Sequence, residues 1–282
     1  MAIVPKIEYE TKLQERLSQP LTFKEVCQLK YTSSGILRNP YLTDPTLGTG
    51  TRGTGYTSTA IATTDDTVTI SDYIYAAEHI DEADLAVKTF SDFMEIADRM
   101  GTILNEGMET EMLSEHAQWT NFDNASIGGS AGNITVAVTN IKKIITSMKR
   151  EIREAGGEDL MNRNGAFIVW RAADFELVET LASSEGFNTA DDALKNGIKQ
   201  GFRYMGVEHY SSNKHASGHV FGGVKKAFMC GIIKATYGKV KTIVNPVVSS
   251  AQISGIGLES RIDSKFHAWN KMVPVLFDIL VA

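Results

Sequence analysis

The sequence has few cysteines, few prolines and no long apolar run. Its 282 residues include six prolines and two cysteines, Cys27 and Cys230. Two cysteines are too few for a disulfide framework or for a metal site of their own, so we expect two buried free thiols. No run of 18 apolar residues occurs, so we expect no membrane-spanning helix. The opening residues lack the charged-then-apolar layout of a signal peptide, which predicts synthesis and retention in the cytosol.

The sequence also has no excess of positive charge. It contains 28 lysine and arginine residues against 34 aspartate and glutamate residues, and its formal net charge is −6. A protein whose surface grips phosphates is basic, so the charge disfavours nucleic acid as a tightly held ligand. With 43% hydrophobic and 22% charged residues, the composition is that of an ordinary globular chain of one or two domains.

The longest periodic segment predicts a helix over residues 82–118, which we call the spine helix. Asp81, Glu82 and Asp84 supply capping oxygens and negative charge at its N-terminus. Some 35 helical residues reach about 50 Å, longer than a small domain is wide. Gly101 and Gly107 predict a bend or a close backbone approach. One apolar stripe runs along the helix through Leu85, Phe90, Phe93, Ile96, Met100, Leu104, Met108 and Met112.

The residues before the spine helix do not form a core of their own. Residues 1–42 are interpreted as an arm, with short helical pieces at 6–17 and at 23–29, the second after a Thr22/Glu25 capping box. Residues 43–66 are rich in glycine and threonine, which favours an extended two-stranded flap. Residues 67–75 alternate and predict a strand that leads into the spine helix.

The residues after the spine helix predict a second module. A Gly/Ser/Asn linker at 121–132 marks the boundary, and residues 133–246 alternate between helices and strands. The tail, 247–282, ends in a strand expected to pair in the spine helix's own sheet, so residues 67–132 and the tail would form one discontinuous domain. The fold class is therefore α+β. Predicted module helices cover 139–155, 172–182 and 189–199, and predicted strands cover 166–170, 204–210, 219–222, 227–233 and 240–244.

Two glycine motifs imitate sites but lack the required context. Gly48 to Gly53 fits G-x-G-x-x-G, yet no strand precedes it and no helix follows, so a flexible flap is the better interpretation. Ser130 lies in G-x-S-x-G, but a polar loop leads into it instead of a buried strand. A linker is favoured there, and a serine hydrolase that uses Ser130 is kept as a remote alternative.

Two further groups resemble metal sites. His209, His215 and His219 lie within eleven residues, but turn residues break the helix that i, i+4 ligands need. The spine carries Glu109, Glu111, Glu115 and His116, for which a solvated helix face is favoured, because bundle metal sites draw ligands from several helices. We assign no catalytic, cofactor-binding or metal-binding residue. A basic helix face, interpreted as solvated or subunit-contacting, carries Lys142, Lys143, Lys149, Arg150 and Arg153.

The order of parts and several local stretches resemble the major capsid protein of tailed bacteriophages, with the Hong Kong 97-type fold. The stretches are FIVWRAADFELVETL from Phe167, Asn196-Gly197, GVEHYSSN from Gly206, HVFGG from His219, and the spine run from Asp84 to Trp119. The resemblance implies an N-terminal arm (1–42), an E-loop flap (43–66), a P-domain (67–132), an A-domain (133–246) and C-terminal strands that return to the P-domain (247–282).

The resemblance implies a structural subunit, not an enzyme. It would self-assemble into hexamers and pentamers of an icosahedral head that encloses double-stranded DNA without sequence-specific binding. Scaffold, portal and decoration proteins would be its partners, and it would be made in the bacterial cytoplasm and located in the virion. An encapsulin-like non-viral cage is the first alternative.

Overall fold

The computed structural model describes residues 21–42, 45, 47–53, 55, 58, 60–81, 90–184, 201–244, 247–248, 251–252 and 254–282. The predicted helices at 6–17 and 189–199 and the first part of the predicted spine helix lie outside the described residues. Within the described residues, no helix combines the length and apolar character needed to cross a membrane.

Helices and strands alternate irregularly along the described chain. The α-helices are α1 (Phe23–Val26), α2 (Phe90–Ser114), α3 (Ile141–Glu154), α4 (Glu158–Asn164) and α5 (Ala172–Ser184). The strands are β1 (Gln28–Thr32), β2 (Ile36–Arg38), β3 (Tyr41–Leu42), β4 (Thr63–Thr64), β5 (Thr67–Thr69), β6 (Tyr73–Ile80), β7 (Thr120–Phe122), β8 (Ala166–Trp170), β9 (Phe202–Tyr204), β10 (Val207–Ser211), β11 (His219–Val224), β12 (Phe228–Ile233), β13 (Val240–Val244), β14 (Val247–Val248), β15 (Ala251–Gln252), β16 (Ile256–Ala268) and β17 (Leu276–Leu280).

The spine helix is confirmed over α2 and continues as a 3₁₀ turn, Glu115–Gln118, to its predicted end. The 25 residues of α2 span about 37 Å. The helix packs on β6 and β16. At Gly107 the helix comes so close to β6 that a Cβ there would lie 3.1 Å from Ile74 Cδ1, which confirms the predicted close approach. The predicted stripe residues Met100, Leu104, Met108 and Met112 are all buried.

The first sheet is built around the 13-residue strand β16. Strands β6 and β13 both pair antiparallel with its first half, so they lie on opposite sides of it. Strand β12 pairs with its second half, and β1 joins parallel to β12. Its 13 residues are enough for β16 to pair with three strands.

The second sheet runs in the order β7-β17-β11-β8-β10-β9 and mixes parallel and antiparallel pairs. Helix α3 lies against it, and Gly222 in β11 makes room: a Cβ there would lie 3.1 Å from Met148 Sδ. The inward face predicted for α3 is confirmed, because Ile141, Ile144, Ile145, Met148 and Ile152 are all buried.

Three pairings differ from the sequence-based expectations. The last strand, β17, joins the six-stranded sheet between β7 and β11, so the expectation that it pairs in the sheet of the spine helix was wrong. Strands β12 and β13, which were expected in the second module, pair with β16 instead. Alternation of apolar residues shows which face of a strand is buried, but not which sheet the strand joins.

Several element boundaries also needed correction. The predicted helix at 23–29 is α1 only, and its second half starts strand β1. The predicted strand at 67–75 is two strands, β5 and β6, and the predicted linker at 121–132 begins inside β7. The predicted strand at 204–210 is a hairpin, because Met205 and Gly206 both have positive φ, as a two-residue type I′ turn requires.

One aromatic cluster joins the two sheets. Trp119, just after the spine helix, stacks on Phe221 of β11 with ring centroids 3.8 Å apart. Phe228 of β12 packs edge-on against both rings and stacks on Phe266 of β16. The main hydrophobic core therefore runs without a break from the spine helix through both sheets.

Candidate functional site

The exposed large apolar side chains come from two parts of the described chain. Among the described residues, the large hydrophobic side chains that are exposed all come from residues 31–103 and from β13. None of them lies in a strand of the six-stranded sheet or in helices α3 to α5. They are Tyr31, Ile36, Leu42, Leu47, Ile61, Tyr73, Tyr75, Ile103, Val240 and Val244. Such a distribution is typical of a surface that another protein covers.

A two-stranded ribbon, formed by residues 36–42 and 63–69, belongs to the first of these two parts. Strand β2 pairs antiparallel with β5, and β3 pairs with β4 in the same continuous register. Asn39 N donates to Asp66 O at 2.8 Å between the two pairs. The glycine and threonine content predicted a two-stranded flap over residues 43–66. The ribbon instead takes its first strand from residues 36–42, within the predicted arm, and among the described strands only Thr63–Thr64 lies inside 43–66, so the predicted bounds need correction.

The described residues between 42 and 63 form the tip of the ribbon, and their large apolar side chains do not pack on the core. Leu47 is 94% exposed and Ile61 is 69% exposed. Gly48 to Gly53, the segment that fits G-x-G-x-x-G, lies here without helix or strand. An isolated two-stranded ribbon is marginally stable in water, so its apolar tip needs a surface to lie on.

The base of the ribbon, in contrast, is fixed to the first sheet. Val68 is buried against Met229 and Trp269. Gly231 of β12 provides the seat, because a Cβ there would lie 2.6 Å from Leu37 Cδ1 and 3.2 Å from Ile70 Cδ1. The ribbon is therefore an extension with an anchored base and an exposed end.

A buried carboxylate secures the turn at the base. Asp66 is 6% exposed and accepts a hydrogen bond from Asn270 N at 2.8 Å. His267 Nε2 lies 3.3 Å from its other oxygen. These contacts tie the ribbon to the end of β16.

A second carboxylate holds the end of the arm on the spine helix. Glu109 accepts hydrogen bonds from Thr22 N at 3.0 Å and Phe23 N at 2.9 Å, and the Thr22 hydroxyl donates to its other oxygen. Burial raises the pKa of Glu109, while these hydrogen bonds oppose the shift. Phe23 inserts into the core edge-on to Phe266. Residues 21–27 are therefore docked on their own chain.

The spine carboxylates correct the expectation of a solvated helix face. Glu109 is only 3% exposed, and its neighbours reach β16: Ser264 Oγ donates to Glu111 at 3.0 Å, and Lys265 Nζ pairs with Glu115 at 3.1 Å. Each carboxylate therefore has a separate structural partner. Sequence periodicity missed this because the donors come from residues far away in the chain.

The three clustered histidines do not meet in the structure. His209 is a core residue that accepts a hydrogen bond from Trp170 Nε1 at 2.9 Å through Nδ1 and donates through Nε2 to Tyr204 O at 3.3 Å. Burial lowers the pKa of His209 to about 4 and that of His215 to about 4. His219 lies beside His116 and Asp278, and its charge contributes to lowering the pKa of His215.

Ser130 does not have the geometry of a nucleophile elbow. Its side chain is exposed in a loop, and its carbonyl oxygen accepts a hydrogen bond from Asn124 Nδ2 at 3.0 Å. No strand leads into it and no helix follows directly. The arrangement has none of the strained strand-to-helix turn that exposes a catalytic serine.

The basic face of α3 is partly neutralised. Arg150 lies 3.5 Å from Glu154, and Arg153 lies 3.1 Å from Glu158. Lys149 donates to Met205 O at 3.0 Å and so braces the β9–β10 hairpin. Lys142 and Lys143 are exposed. The face fits the solvated or subunit-contacting interpretation better than a phosphate-binding site.

Comparison with known proteins identifies the fold through structure alone. No protein-family model matches the sequence, and no curated protein matches it. Solved structures match along nearly the whole chain. The structure titled "Mycobacterium phage Che8" has a TM-score of 0.66 at 14% identity and covers 97% of this chain and 96% of that chain.

Two further matches are named as capsids. "Capsid of empty GTA particle computed with C5 symmetry" has a TM-score of 0.69 at 12% identity and covers 98% of this chain and 95% of that one. "Asymmetric unit of bacteriophage PhiM1 mature capsid" has a TM-score of 0.65 at 13% identity, with coverage of 99% and 92%. The chain therefore has the α+β fold of these phage capsid subunits. The predicted resemblance to a phage capsid protein is confirmed.

Proposed function

We propose that this chain is the structural subunit of a tailed-phage head, which self-assembles into an icosahedral shell around double-stranded DNA. The observation that carries the proposal is the ribbon at residues 36–42 and 63–69, whose base is anchored and whose apolar tip is exposed, on a chain with a capsid fold over nearly its full length.

The assembly surface acts through three kinds of contact. The ribbon tip lies on a neighbouring copy and buries Leu47 and Ile61 there. Among the described strands, β6 and β13 each pair only with β16, so their outer edges can offer backbone groups to an adjacent chain. Tyr73 and Tyr75 on β6 add apolar area at that edge. Contacts of this heterologous kind close into rings when identical subunits are related by rotation.

Within the Hong Kong 97-type scheme we assign the parts as follows. Residues 1–42 form the N-terminal arm, 43–66 the E-loop, 67–132 the P-domain, 133–246 the A-domain, and 247–282 the returning C-terminal strands. The ribbon pairing supports extending the E-loop at both ends, to 36–69, and the pairing of β12 and β13 with β16 supports counting them with the P-domain sheet.

The charge suits a container rather than a DNA-gripping protein. A net charge of −6 disfavours tight binding of packed DNA, so the DNA would be enclosed without sequence-specific contacts. Scaffold, portal and decoration proteins would be the partners of such a shell. The protein would be made in the bacterial cytoplasm and located in the virion, and the subunit would have no enzymatic role.

Electron microscopy of the purified full chain tests the proposal. The expected result is closed shells with fivefold and sixfold rings of subunits. A persistent monomer with native circular dichroism would contradict it. Shells purified from infected or lysogenic cells that contain DNA would support a phage head, whereas shells loaded with a specific enzyme would support the encapsulin-like alternative instead.

A further inference from the structure

A cluster of two imidazoles and one carboxylate lies where the spine helix meets the six-stranded sheet. His116 belongs to the 3₁₀ turn that ends the spine helix, His219 starts β11, and Asp278 is in the middle of β17. One ligand atom from each residue lies within 4.8 Å of the other two. Residues far apart in sequence therefore converge on one point.

The pairing of β11 with β17 fixes two of the three groups. His219 is opposite Leu280, which places Asp278 two residues along β17, a diagonal neighbour on the same face of the sheet. His219 Nδ1 lies 2.9 Å from Asp278 Oδ2 and 3.0 Å from Oδ1. Strand register, not a flexible loop, holds this pair.

The third group comes from the spine helix. His116 Nδ1 lies 3.9 Å from Asp278 Oδ2, and its ring stacks on that of His219 with centroids 3.8 Å apart. Donor atoms on one tetrahedral Zn²⁺ are about 3.3 Å apart, given bonds of about 2.0 Å. The observed separations lie on either side of that value: 2.9 Å for the His219–Asp278 hydrogen bond, whose Nδ1 proton the ion would displace to solvent, and 3.9 Å for His116–Asp278. Because a metal lies in the plane of each ring it binds, the His116 ring must turn out of the stack to coordinate.

The surroundings permit that rotation and the entry of an ion. The side chains of His116 and His219 are 33% and 24% exposed, whereas that of Asp278 is 3% exposed. Within the described parts of the chain, the ion pairs to Asp278 come only from histidine, so no lysine or arginine competes for its charge. A cation would offset the cost of keeping that carboxylate ionised.

We propose that His116, His219 and Asp278 form a binding site for a divalent transition-metal cation of the Zn²⁺ type, with a water as fourth ligand on the exposed side. Two imidazoles and one carboxylate match the donors that Zn²⁺ takes in three-ligand sites, and they exclude Mg²⁺, which requires oxygen ligands. The ion joins the end of the spine helix to β11 and β17. This site is independent of the proposed shell function.

The first experiment is titration of the chelator-stripped full chain with Zn²⁺ by calorimetry, with Co²⁺ absorption as a report on coordination geometry. We expect one Zn²⁺ per chain, no heat with Mg²⁺, and a tetrahedral Co²⁺ spectrum. Zn²⁺ should also raise the midpoint of thermal unfolding, because it binds only the folded chain. Absence of Zn²⁺ uptake by the wild-type chain would overturn the proposal.

Substitutions identify the ligands. His116→Ala removes a partly exposed ring, so the chain should fold, and it should weaken Zn²⁺ binding by tenfold or more and abolish the Zn²⁺-dependent rise in the unfolding midpoint. Asp278→Asn should do the same if it folds. The matched control is His267→Ala. It also breaks a histidine–aspartate pair, with Asp66, but among the described residues that pair has no second histidine beside it. Equal Zn²⁺ affinity in wild type and His116→Ala, or an equal loss in His267→Ala, would refute the site.

Discussion

The contacts of single side chains explain how the arm is held. Glu109 accepts two backbone hydrogen bonds and one hydroxyl hydrogen bond at the start of α1, inside the core. We expect Glu109→Ala to lower the free energy of unfolding in urea by about 2–3 kcal/mol, because it leaves buried N–H groups without an acceptor. Glu109→Gln should cost less, since its amide oxygen still accepts.

The control for this prediction is Glu154→Ala on α3. That carboxylate is 67% exposed. Its loss should change the free energy of unfolding by no more than about 0.5 kcal/mol. Glu109→Ala with a wild-type unfolding curve would show that the arm is not held by this contact.

His209 predicts a pH dependence. Burial lowers its pKa to about 4, below the value of about 6.5 in an unfolded chain. The folded chain therefore binds a proton on His209 more weakly than the unfolded chain does. The neutral ring contributes its full stability above about pH 6.5, and this contribution is lost as the pH falls toward about 4. His209→Gln keeps an acceptor for Trp170 Nε1 but does not titrate.

The difference in free energy of unfolding between wild type and His209→Gln isolates this effect, because their other titrating groups are the same. We expect wild type to exceed His209→Gln in free energy of unfolding at neutral pH, and the gap to narrow as the pH is lowered. The check is urea unfolding of both at a series of pH values. A gap that stays constant with pH would mean that His209 does not titrate as its burial requires.

At the residue scale, sequence reasoning found the apolar positions better than the polar ones. The isoleucines of α3 repeat with the helical period, so their burial could be predicted. The burial of Glu109 could not, because its donors are 86 and 87 residues away in the chain. For the same reason, His219 was grouped with His209 and His215 by sequence spacing, whereas its neighbours in the structure are His116 and Asp278.

Two glycines of the spine helix provide a matched pair at the scale of elements. A Cβ at Gly101 would have nothing within 4 Å, whereas one at Gly107 would lie 3.1 Å from Ile74 Cδ1. Gly101→Ala should stabilise the chain by about 0.5–1 kcal/mol through helix propensity. Gly107→Ala should gain less or lose stability, because β6 must give way. Thermal and urea unfolding of both variants measure this difference, and equal gains in stability would contradict the close packing of α2 on β6.

The ribbon seat gives a second prediction at this scale. Gly231→Leu fills the space that Leu37 and Ile70 occupy, so we expect the ribbon base to detach at a cost of about 1–3 kcal/mol. Hydrogen exchange should then rise in residues 36–42 and 63–69 more than in the core strand β8. Gly231→Ala is the milder control, since its single Cβ meets the flexible ends of the Leu37, Ile70 and Met229 side chains and can be accommodated by small movements of them. Unchanged protection of the ribbon in Gly231→Leu would refute the seat.

The elements themselves were largely predictable, but their partners were not. Local patterns predicted α2, α3, β8, β12 and β13, because each has its own periodicity. Which sheet a strand joins depends on contacts between distant residues, and β16 pairs with three strands from separate parts of the chain. The placement of β17 in the six-stranded sheet is a long-range contact of this kind.

The whole molecule combines a continuous core with an exposed extension. The arm from residue 21 docks on its own chain, while the ribbon tip carries Leu47 and Ile61 into solvent. Residues 1–42 and 43–66 were both predicted to lack a core of their own, so each was expected to need a surface of the same chain or of a neighbouring copy. Among the described residues, the structure leaves only the ribbon and the strand edges without such a surface on their own chain.

Sedimentation velocity of three purified full chains tests the central claim most directly. Leu47→Asp/Ile61→Asp adds two negative charges at the ribbon tip, and the control Ser130→Asp adds one negative charge in an exposed loop outside the ribbon. We predict that wild type and Ser130→Asp sediment as shells, and that the double variant remains a folded small species with wild-type circular dichroism. Shells of the double variant, or a native monomer for all three chains, would contradict assembly through the ribbon.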